Sequence, residues 1–498
     1  MLSCLNPLPS LPAYTGPYAV GSTEYEIPLS SLSLPALPEH ISLSTIKFRL
    51  FYPTTGPDSN SYGIPWLQQP QTAYLNSYLR LAGIKPFLST ILLSVPFYLR
   101  TTQIPAYANA PMSYDGAKLP VLIFSHGLVG NMNTHSAILG DLASHGVFCL
   151  AIEHRDGSGP LSMVRSAKAS GAGADEAAPT EVTSVSFKQI SLKIKPGVYE
   201  QRDEQLRTRL FEMMAAYRAV EMLNEGGPFG NLASEAGRDG SAFAMPKGVL
   251  DMTPGSVIWA GHSFGGTTIV QFVKAVYYCG ERQDATCLLW HDPSPGLKAQ
   301  ITPSSPVVLL DPWFLPLKSP KTEALLGMPM PCHHSSTGEK SRTVAVCCSE
   351  FAYHWPQCHS YMPAIVAEDP TSVRIQTDEE YREEFAKYRS PREFMNKSKE
   401  ARAMSKAEIE VSQKVTARQE GSKVSMYVLH DTTHITHCDF GVMFPWLTYW
   451  FTEQKRPVLA TRNVVRCIMA AAGLVEVDDA AEVAGSGGNG QVQLERVQ

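Results

Sequence analysis

The most constraining feature of the sequence is a glycine-rich hexapeptide, residues 261–266 (GHSFGG), placed between a strand and a helix. Residues 256–260 (SVIWA) before it are largely apolar, as in a buried strand, and residues 267–277 after it have helical character. A serine in a sharp strand-to-helix turn has a strained backbone, so only small residues fit on either side of it. The pattern predicts a nucleophile elbow that exposes the hydroxyl of Ser263 above the edge of a sheet.

Further apolar runs alternate with helical patterns along the chain. Residues 45–53 alternate apolar and polar side chains, which predicts a half-buried strand at an edge of the sheet. Helical patterns occupy residues 134–145 and the stretch from Leu206 to Val220, where apolar residues recur at steps of three and four. Continuous apolar runs that predict buried strands lie at 120–125, 147–152, 306–310, 343–347 and 424–429. This alternation predicts an α/β fold with an open, mostly parallel central sheet and helices on both faces.

Composition divides the chain into three expected regions. Residues 1–45, rich in Pro, Ser and Leu, predict an extended N-terminal arm, and residues 46–473 predict a catalytic domain. Insertions are expected in that domain at about 157–198, 283–304 and 360–422, the last containing a densely charged, solvated helical stretch at 377–420. The acidic and then glycine-rich residues 474–498 predict a disordered tail.

Charge and hydropathy narrow the range of partners. Lys and Arg number 42 against 47 Asp and Glu, a net charge of −5, and no dense basic run appears, so nucleic acid is not an expected partner. Charged residues make up 18% of the chain, below the roughly 25% of an average soluble protein, which favours apolar surface and a lipid substrate. Residues 83–99 are apolar but too short and too interrupted to span a bilayer. They predict either a core helix or a surface that docks peripherally on membranes.

Cysteine usage bears on the compartment and on metal binding. Ten cysteines without the spacing of a disulfide scaffold, and no basic n-region before an apolar stretch, predict a cytoplasmic protein without a signal peptide. We expect no metal and no cofactor, because the densest set of Cys and His residues lacks the paired spacing of zinc ligands. That set comprises Cys332, His333, His334, Cys347, Cys348, His354, Cys358 and His359.

Ser263 would need a histidine as general base and a carboxylate that fixes the tautomer of this histidine. With this type of elbow, the chain order is serine, acid, histidine. Asp311 is the favoured acid because it follows the strand predicted at 306–310, and Asp292 is the second choice. Asp284 and residues of the charged insertion are further acid candidates. The base is one of three histidines after the last strand, and their spacing does not choose among them: His430, His434 and His437.

Six motifs, in the same order along the chain, resemble the platelet-activating-factor acetylhydrolases of the plasma and intracellular type II family, within the α/β-hydrolase superfamily. The motifs are 124–128 (FSHGL), 141–146 (DLASHG), 153–156 (EHRD), 261–266 (GHSFGG), 310–317 (LDPWFLPL) and 434–440 (HITHCDF). Residues 16–21 (GPYAVG) and the helix around Arg202 and Arg209 resemble the same family. The resemblance therefore covers most of the chain and is much more specific than the elbow alone.

This resemblance implies the α/β-hydrolase fold and a calcium-independent serine esterase of the phospholipase A2 type. Such an enzyme removes a short acyl group, such as acetyl, from the sn-2 position of a phospholipid. The matched motifs imply Ser263 as nucleophile, Asp311 as acid and His434 as base. They also imply an oxyanion hole made by the backbone N–H groups of Leu128 and Phe264. Asp311 lies 48 positions after Ser263, which exceeds the usual spacing in the family, and Asp292 comes nearer to that spacing.

Two other functions remain open. A general carboxylesterase or lipase of the same fold would share the catalytic residues and differ in the walls of the pocket. A non-catalytic binding protein is less favoured, because such proteins usually lack a member of the triad. Comparing the turnover of short-chain and long-chain esters distinguishes the general esterase from an acetylhydrolase.

Overall fold

A computed structural model describes residues 11–35, 37, 43–57, 62–83, 94–167, 180–227, 230–233, 245–281, 288–335, 342–348, 356–375, 424–429, 432–444, 456–475 and 494–497. Within these residues, an eleven-stranded sheet has helices on both faces, and a separate two-stranded hairpin lies beside it.

The strands are β1 (Ala19–Pro28), β2 (Thr45–Thr54), β3 (Tyr62–Pro65), β4 (Gln103–Ala108), β5 (Val121–Ser125), β6 (Phe148–Glu153), β7 (Leu161–Ala167), β8 (Thr180–Ser186), β9 (Ile258–His262), β10 (Val307–Leu310), β11 (Thr343–Cys348), β12 (Val424–Leu429) and β13 (Leu494–Val497). The order in the large sheet is β13-β12-β11-β10-β9-β5-β6-β2-β1-β4-β3, and β7 pairs with β8.

The helices are α1 (Gln71–Leu81), α2 (Ser94–Thr101), α3 (Ser136–Ser144), α4 (Val198–Glu225), α5 (Phe264–Tyr278), α6 (Pro295–Gln300), α7 (Glu323–Leu326), α8 (Pro356–Val366), α9 (Asp439–Met443) and α10 (Pro457–Ala471). Short 3-10 turns include Leu315–Lys318 after β10, Pro331–His334 before β11 and His434–His437 after β12.

The centre of the sheet is parallel. Strands β12, β11, β10, β9, β5 and β6 run in one direction, whereas β2 is antiparallel to β6 and β1 is antiparallel to β2. Every residue of β5, β6, β9 and β10 is buried, as expected for parallel strands that are covered on both faces. This architecture confirms the predicted α/β-hydrolase fold, and the buried strands lie where the apolar runs place them.

Two apolar cores cover the two faces of the sheet. On one face, α4 and α5 contribute side chains such as Leu210 and Phe272, which belong to the same buried cluster as Trp259 of β9. On the other face, α3 and α10 contribute Leu139 and Val464. Because both cores meet at the central strands, the carboxyl ends of β5, β9 and β10 form one rigid edge, at which α/β proteins of this kind place their sites.

The structure corrects two expectations for the N-terminus. Residues 19–28 belong to the expected extended arm, yet they form β1 within the sheet, and β2 is an interior strand rather than an edge. Glu24 of β1 lies 3.1 Å from Lys47 and 3.0 Å from Arg49 of β2, and all three side chains are buried. Charged residues can be buried when they are paired in this way, so an apolar pattern does not reveal the strand.

Two of the expected insertions contain regular secondary structure, and part of the expected tail is a strand. Residues 157–198 contain the hairpin of β7 and β8, whose first residue Leu161 is buried, and residues 283–304 contain α6, which buries Leu297. In 360–422, α8 extends to Val366, whereas the charged stretch at 377–420 lies outside the described residues. In the expected disordered tail, β13 pairs antiparallel with residues 426–429 of β12.

Helices that cross a bilayer need length and apolar character together, and no helix within the described ranges has both. Of residues 83–99, positions 84–93 lie outside those ranges. The choice between a core helix and a lipid-docking surface there stays a prediction.

Candidate active site

The predicted elbow is present at the junction of β9 and α5. Ser263 has φ 56° and ψ −118°, in the left-handed half of backbone space that a residue with a side chain rarely adopts. A side chain at Gly261 would collide with the backbone of Gly265, and one at Gly265 would collide with the carbonyl oxygen of Ser125 in β5. The glycines on both sides of the serine are therefore required by close backbone packing.

The structure brings Ser263, His434 and Asp311 together. Nε2 of His434 lies 2.9 Å from Oγ of Ser263, and Nδ1 of His434 lies 3.1 Å from Oδ2 of Asp311. When Nδ1–H donates to the carboxylate, Nε2 presents its lone pair to the serine hydroxyl. Asp311 is fully buried, whereas 29% of the His434 side chain is exposed, so the histidine faces the solvent side of the site.

Asp311 follows β10 directly, in a turn with φ 42°. Its Oδ1 accepts a hydrogen bond of 2.8 Å from the backbone N–H of Cys348, and Oδ2 faces both His434 and His437. Burial alone would raise the pKa of this carboxyl, but the nearby imidazoles of His437 and His434 outweigh burial and lower the pKa below its usual range. Asp311 is therefore ionised at neutral pH.

The other acid and base candidates lie elsewhere or have a different contact. Asp292 is exposed and lies beside Arg218 and Glu221 of α4, not beside Ser263. Asp284 and His430 lie outside the described residues. His437 is fully buried, and its Nε2 lies 3.3 Å from Oδ2 of Asp311 rather than beside the serine.

The loop after β5 packs against the elbow. A side chain at Gly127 would lie 2.8 Å from Cβ of Ser263, so the two backbones are in close contact, and Leu128 is the next residue along this loop. Phe264 begins α5 immediately after Ser263. The two residues implied as oxyanion-hole donors thus lie on the two segments that flank the serine.

A buried arginine that sequence reasoning did not single out connects these two segments. Arg209 of α4 donates from Nη1 to the carbonyl oxygen of His126 at 2.8 Å, and its guanidinium carbon lies 4.3 Å from the centroid of the Phe264 ring. Its Nε pairs with Asp156 at 2.6 Å, and its Nη2 donates to Ser158 at 2.6 Å. In the sequence, the helix around Arg202 and Arg209 resembles the same family, but that resemblance assigns no role to either arginine.

Hydrogen bonds of Asp439 hold the loop that carries His434 in place. Oδ2 of Asp439 accepts hydrogen bonds from Nε1 of Trp66 at 2.8 Å and from the Ser136 hydroxyl at 2.5 Å, and Oδ1 accepts one from the Ala137 N–H at 2.9 Å. Burial raises the pKa of Asp439 to about 7, although these donors favour the ionised form. The carboxylate joins the histidine loop to the first turn of α3.

Four further histidines are buried around the site. Burial lowers the pKa of His126 to about 3, and it holds the pKa of His135, His154 and His262 well below the usual range. Nδ1 of His154 lies 2.6 Å from Glu212. These side chains form neutral walls of the site at physiological pH.

The Cys and His set from residue 332 to residue 359 does not converge within the described part of the chain. Nε2 of His333 lies 2.8 Å from the carbonyl oxygen of Val366, and the ring of His334 packs against Tyr277 with centroids 5.5 Å apart. His354 lies outside the described ranges. Cys348 instead lies beside Asp311 and His437, and among the described residues this group and the group of His262, Asp311 and His434 have atoms close enough to share a cation.

Several known proteins are similar in sequence to this chain. A Schizosaccharomyces pombe protein named "Putative phospholipase A2" is 33% identical over 273 residues, which are 52% of this chain and 58% of that protein. The platelet-activating factor acetylhydrolase of Cavia porcellus is 30% identical, over 53% of this chain and 52% of its own length. That of Canis lupus familiaris is 31% identical, over 56% and 55%. The chain spans little more than half the length of these relatives.

A model of one protein family matches most of the chain. The model of platelet-activating factor acetylhydrolase, isoform II, covers residues 5–330, which include Ser263 and Asp311 and end before His434. Because the match extends over well more than half of the sequence, the chain belongs to the platelet-activating factor acetylhydrolase, isoform II, family.

Proposed function

We propose that this protein is a serine esterase that hydrolyses the short sn-2 acyl ester of phospholipids such as platelet-activating factor. The observation that carries the proposal is the hydrogen-bonded series from Ser263 through His434 to Asp311, at 2.9 Å and 3.1 Å. A serine, a histidine and a buried carboxylate in this order activate a hydroxyl for attack on a carbonyl carbon. The names of the relatives support the substrate class.

The first half of the reaction acylates the serine. Nε2 of His434 takes the proton of Ser263 while Oγ bonds to the ester carbonyl carbon, and the carbonyl π electrons move onto oxygen. We place this oxyanion at the backbone N–H groups of Leu128 and Phe264, each worth roughly 3 kcal/mol in the transition state. The positive end of α5 adds a favourable field. His434 then gives its proton to the glycerol oxygen, so the lysophospholipid leaves.

The second half releases the acyl group. Water takes the place of the leaving alcohol, His434 removes one of its protons, and the resulting hydroxide attacks the acyl-enzyme carbonyl. Collapse of the second tetrahedral intermediate breaks the bond to Oγ, and the proton returns from His434 to Ser263. Asp311 stabilises the imidazolium at each stage without taking its proton, consistent with its lowered pKa.

The residues after Asp311 support a preference for short acyl groups. The backbone N–H of Trp313 donates to the carbonyl oxygen of Ser263 at 3.0 Å, and its ring packs edge-on against Phe264 with centroids 5.5 Å apart. The ring of Phe314 stacks on Tyr361 in the same core. Bulky, well-packed side chains beside the nucleophile leave little room for a long chain to be accommodated by rearrangement.

Substitution of the nucleophile tests the reaction class. Ser263→Ala should lower turnover of an acetyl ester by about 10⁴ or more and abolish labelling by a fluorophosphonate probe. Ser256→Ala, at a serine before β9 whose hydroxyl donates to the backbone oxygens of Asp251 and Thr253, is the matched control and should keep both. More than a tenth of the original activity in Ser263→Ala would contradict the proposal.

A series of acyl lengths tests the substrate class. An sn-2 acetyl phospholipid should be hydrolysed much faster than its palmitoyl analogue. Equal rates would indicate the alternative, a general carboxylesterase or lipase with the same catalytic residues. Absence of turnover on every ester, together with no fluorophosphonate labelling, would leave the non-catalytic binding protein.

We also propose peripheral contact with membranes in a reducing compartment, the cytoplasm. The apolar residues 83–99 and the lipid class of substrate support the first part. The second is supported by the ten cysteines of the sequence, whose spacing is not that of a disulfide scaffold. Cosedimentation with phospholipid vesicles and fractionation of cells test these two statements separately.

A further inference from the structure

Two buried side chains beside Asp311 have no part in the reaction above. His437 and Cys348 are 0% exposed. Nε2 of His437 lies 3.3 Å from Oδ2 of Asp311, and the backbone N–H of Cys348 donates to Oδ1 of the same carboxylate. A ring nitrogen of His437, Sγ of Cys348 and a carboxylate oxygen of Asp311 all lie within 4.8 Å of one another.

These three groups have the chemistry of a zinc site. Thiolate, imidazole and carboxylate bind zinc at about 2.0 to 2.3 Å, so neighbouring ligand atoms lie roughly 3.3 to 3.8 Å apart. Atoms already within 4.8 Å reach such positions through small inward shifts of the side chains. The charges of Asp311 and of a Cys348 thiolate cancel those of a divalent cation, so a neutral site replaces a buried anion.

The histidine ring is also available to a cation. Nδ1 of His437 is buried without a hydrogen-bond partner among the described residues. A buried ring nitrogen without a partner loses solvation that a metal bond would replace. The ring belongs to the turn that carries His434, whose side chain is 29% exposed and lies 3.1 Å from the fully buried Asp311. Rotation of His434 away from the carboxylate would open a path to the three ligands.

We propose that Asp311, His437 and Cys348 bind Zn²⁺ and that this ion inhibits the esterase, an inference that rests on the proposed function. Binding forms bonds from Zn²⁺ to a carboxylate oxygen, to a neutral ring nitrogen and to sulfur, and the thiol proton of Cys348 passes to solvent. The carboxylate then no longer accepts the hydrogen bond from Nδ1 of His434. The histidine loses its fixed tautomer, and proton transfer from Ser263 stops.

Inhibition of the purified full-length protein by Zn²⁺ tests the site. Hydrolysis of a soluble acetyl ester is followed in a buffer that does not bind metals, while Zn²⁺ is titrated into wild type, Cys348→Ser, His437→Phe and His437→Gln. Each curve is scaled to the activity of the same variant without metal. The control is Cys467→Ser, which removes a buried thiol of α10.

Loss of one ligand should raise the half-inhibitory Zn²⁺ concentration at least about tenfold in Cys348→Ser and in the His437 variants, since even outer partners of a metal site are worth that much. Cys467→Ser should behave as wild type, and EDTA should restore full activity. If the half-inhibitory Zn²⁺ concentration were the same for wild type and all four variants, the proposed zinc site would be wrong. Either His437 variant suffices if the other does not fold, as judged by its circular dichroism.

A direct binding measurement separates this site from the esterase proposal. Cd²⁺ is added to Ser263→Ala, and the ultraviolet charge-transfer absorption of the cadmium–thiolate bond is recorded. One equivalent of signal is expected, and it should disappear in Ser263→Ala with Cys348→Ser but not with Cys467→Ser. The expected signal, combined with a wild-type protein that hydrolyses no ester, would refute the esterase and keep the site. An active esterase whose signal does not depend on Cys348 would refute the site alone.

Discussion

Arg209 donates a hydrogen bond of 2.8 Å from Nη1 to the carbonyl oxygen of His126, two residues before Leu128. The same guanidinium stacks on the ring of Phe264, so one buried side chain contacts both segments that carry the proposed oxyanion donors. An oxyanion hole is effective because its donors are held in place before the reaction begins. Arg209 is therefore a positioning residue for the proposed hole.

Arg209→Met should lower kcat by about 10- to 100-fold and change KM little, because displacement of the donors by about 1 Å affects the transition state most. The control is Arg155→Met, which also removes a fully buried arginine from a 2.6 Å ion pair, here with Glu26. Both variants should lose about 3 to 5 kcal/mol of unfolding free energy. Steady-state kinetics and urea unfolding measure the two effects.

Arg209→Lys refines this test, because lysine keeps the charge beside Asp156 but lacks the planar fork that reaches His126. It should recover part of the stability and little of the kcat. Equal loss of kcat in Arg209→Met and Arg155→Met would show that the effect is a general consequence of destabilisation.

The proposed acid can be checked against its runner-up. Asp311→Asn should lower turnover by about 10⁴, because an amide that donates to Nδ1 of His434 selects the wrong tautomer. Asp292→Asn should change turnover by less than about tenfold, because Asp292 is exposed and lies beside Arg218 and Glu221 of α4 rather than in the triad. The reverse pattern of rates would move the acid to Asp292 and contradict the geometry of the site.

Asp439→Asn should destabilise the protein and slow the reaction together. The amide nitrogen would face N–H and O–H donors that now bind a carboxylate oxygen, and each hydrogen bond to a charged group is worth roughly 1.5 to 3 kcal/mol. Asp369→Asn is a matched control, because Asp369 caps an exposed 3-10 turn at the surface. Thermal unfolding and kcat are measured for both variants. An unchanged kcat in Asp439→Asn would show that this carboxylate is not needed to position His434.

The buried histidines predict the direction of one pH effect. Burial lowers the pKa of His126 to about 3, whereas in the unfolded chain a histidine binds a proton below about pH 6.5. Below that pH the unfolded state holds more protons at this position, so the free energy of unfolding falls as the pH falls toward the folded pKa. His126→Gln should therefore lose less stability than wild type between about pH 7 and pH 5. Parallel urea-unfolding profiles of the two proteins would contradict this assignment.

The parts of the site that could be predicted from the sequence have local signals. The elbow at Ser263 is contained in six residues, and Asp311 follows an apolar strand whose end is easily recognised. The choice of His434 over His437 was different, because both lie in one turn and only the resemblance distinguished them. The structure separates them by the atoms they face: His434 lies beside both Ser263 and Asp311, whereas His437 lies beside Asp311 and not beside Ser263.

The parts that could not be predicted depend on pairs of charges far apart along the chain. Arg209 and His126 are 83 positions apart, and neither residue type indicates a contact of that kind. Strand β1 was hidden for the same reason, since Glu24 is buried only because β2 supplies Lys47 and Arg49. Periodicity detects apolar burial, whereas paired charges inside a protein leave the pattern of an exposed surface.

His434 is separated along the sequence from Ser263 and Asp311, and this separation has a practical consequence. Residues 376–423 join the part of the chain with Ser263 and Asp311 to the part with His434, yet other contacts hold the two parts together. β12 pairs with six residues of β11, and Asp439 binds Trp66 and the start of α3. Two polypeptides divided within 376–423 would each be inactive, one without the base and the other without the nucleophile. If the protein has the proposed activity, we expect their reassociation to restore hydrolysis, so that the two fragments could serve as a complementation reporter.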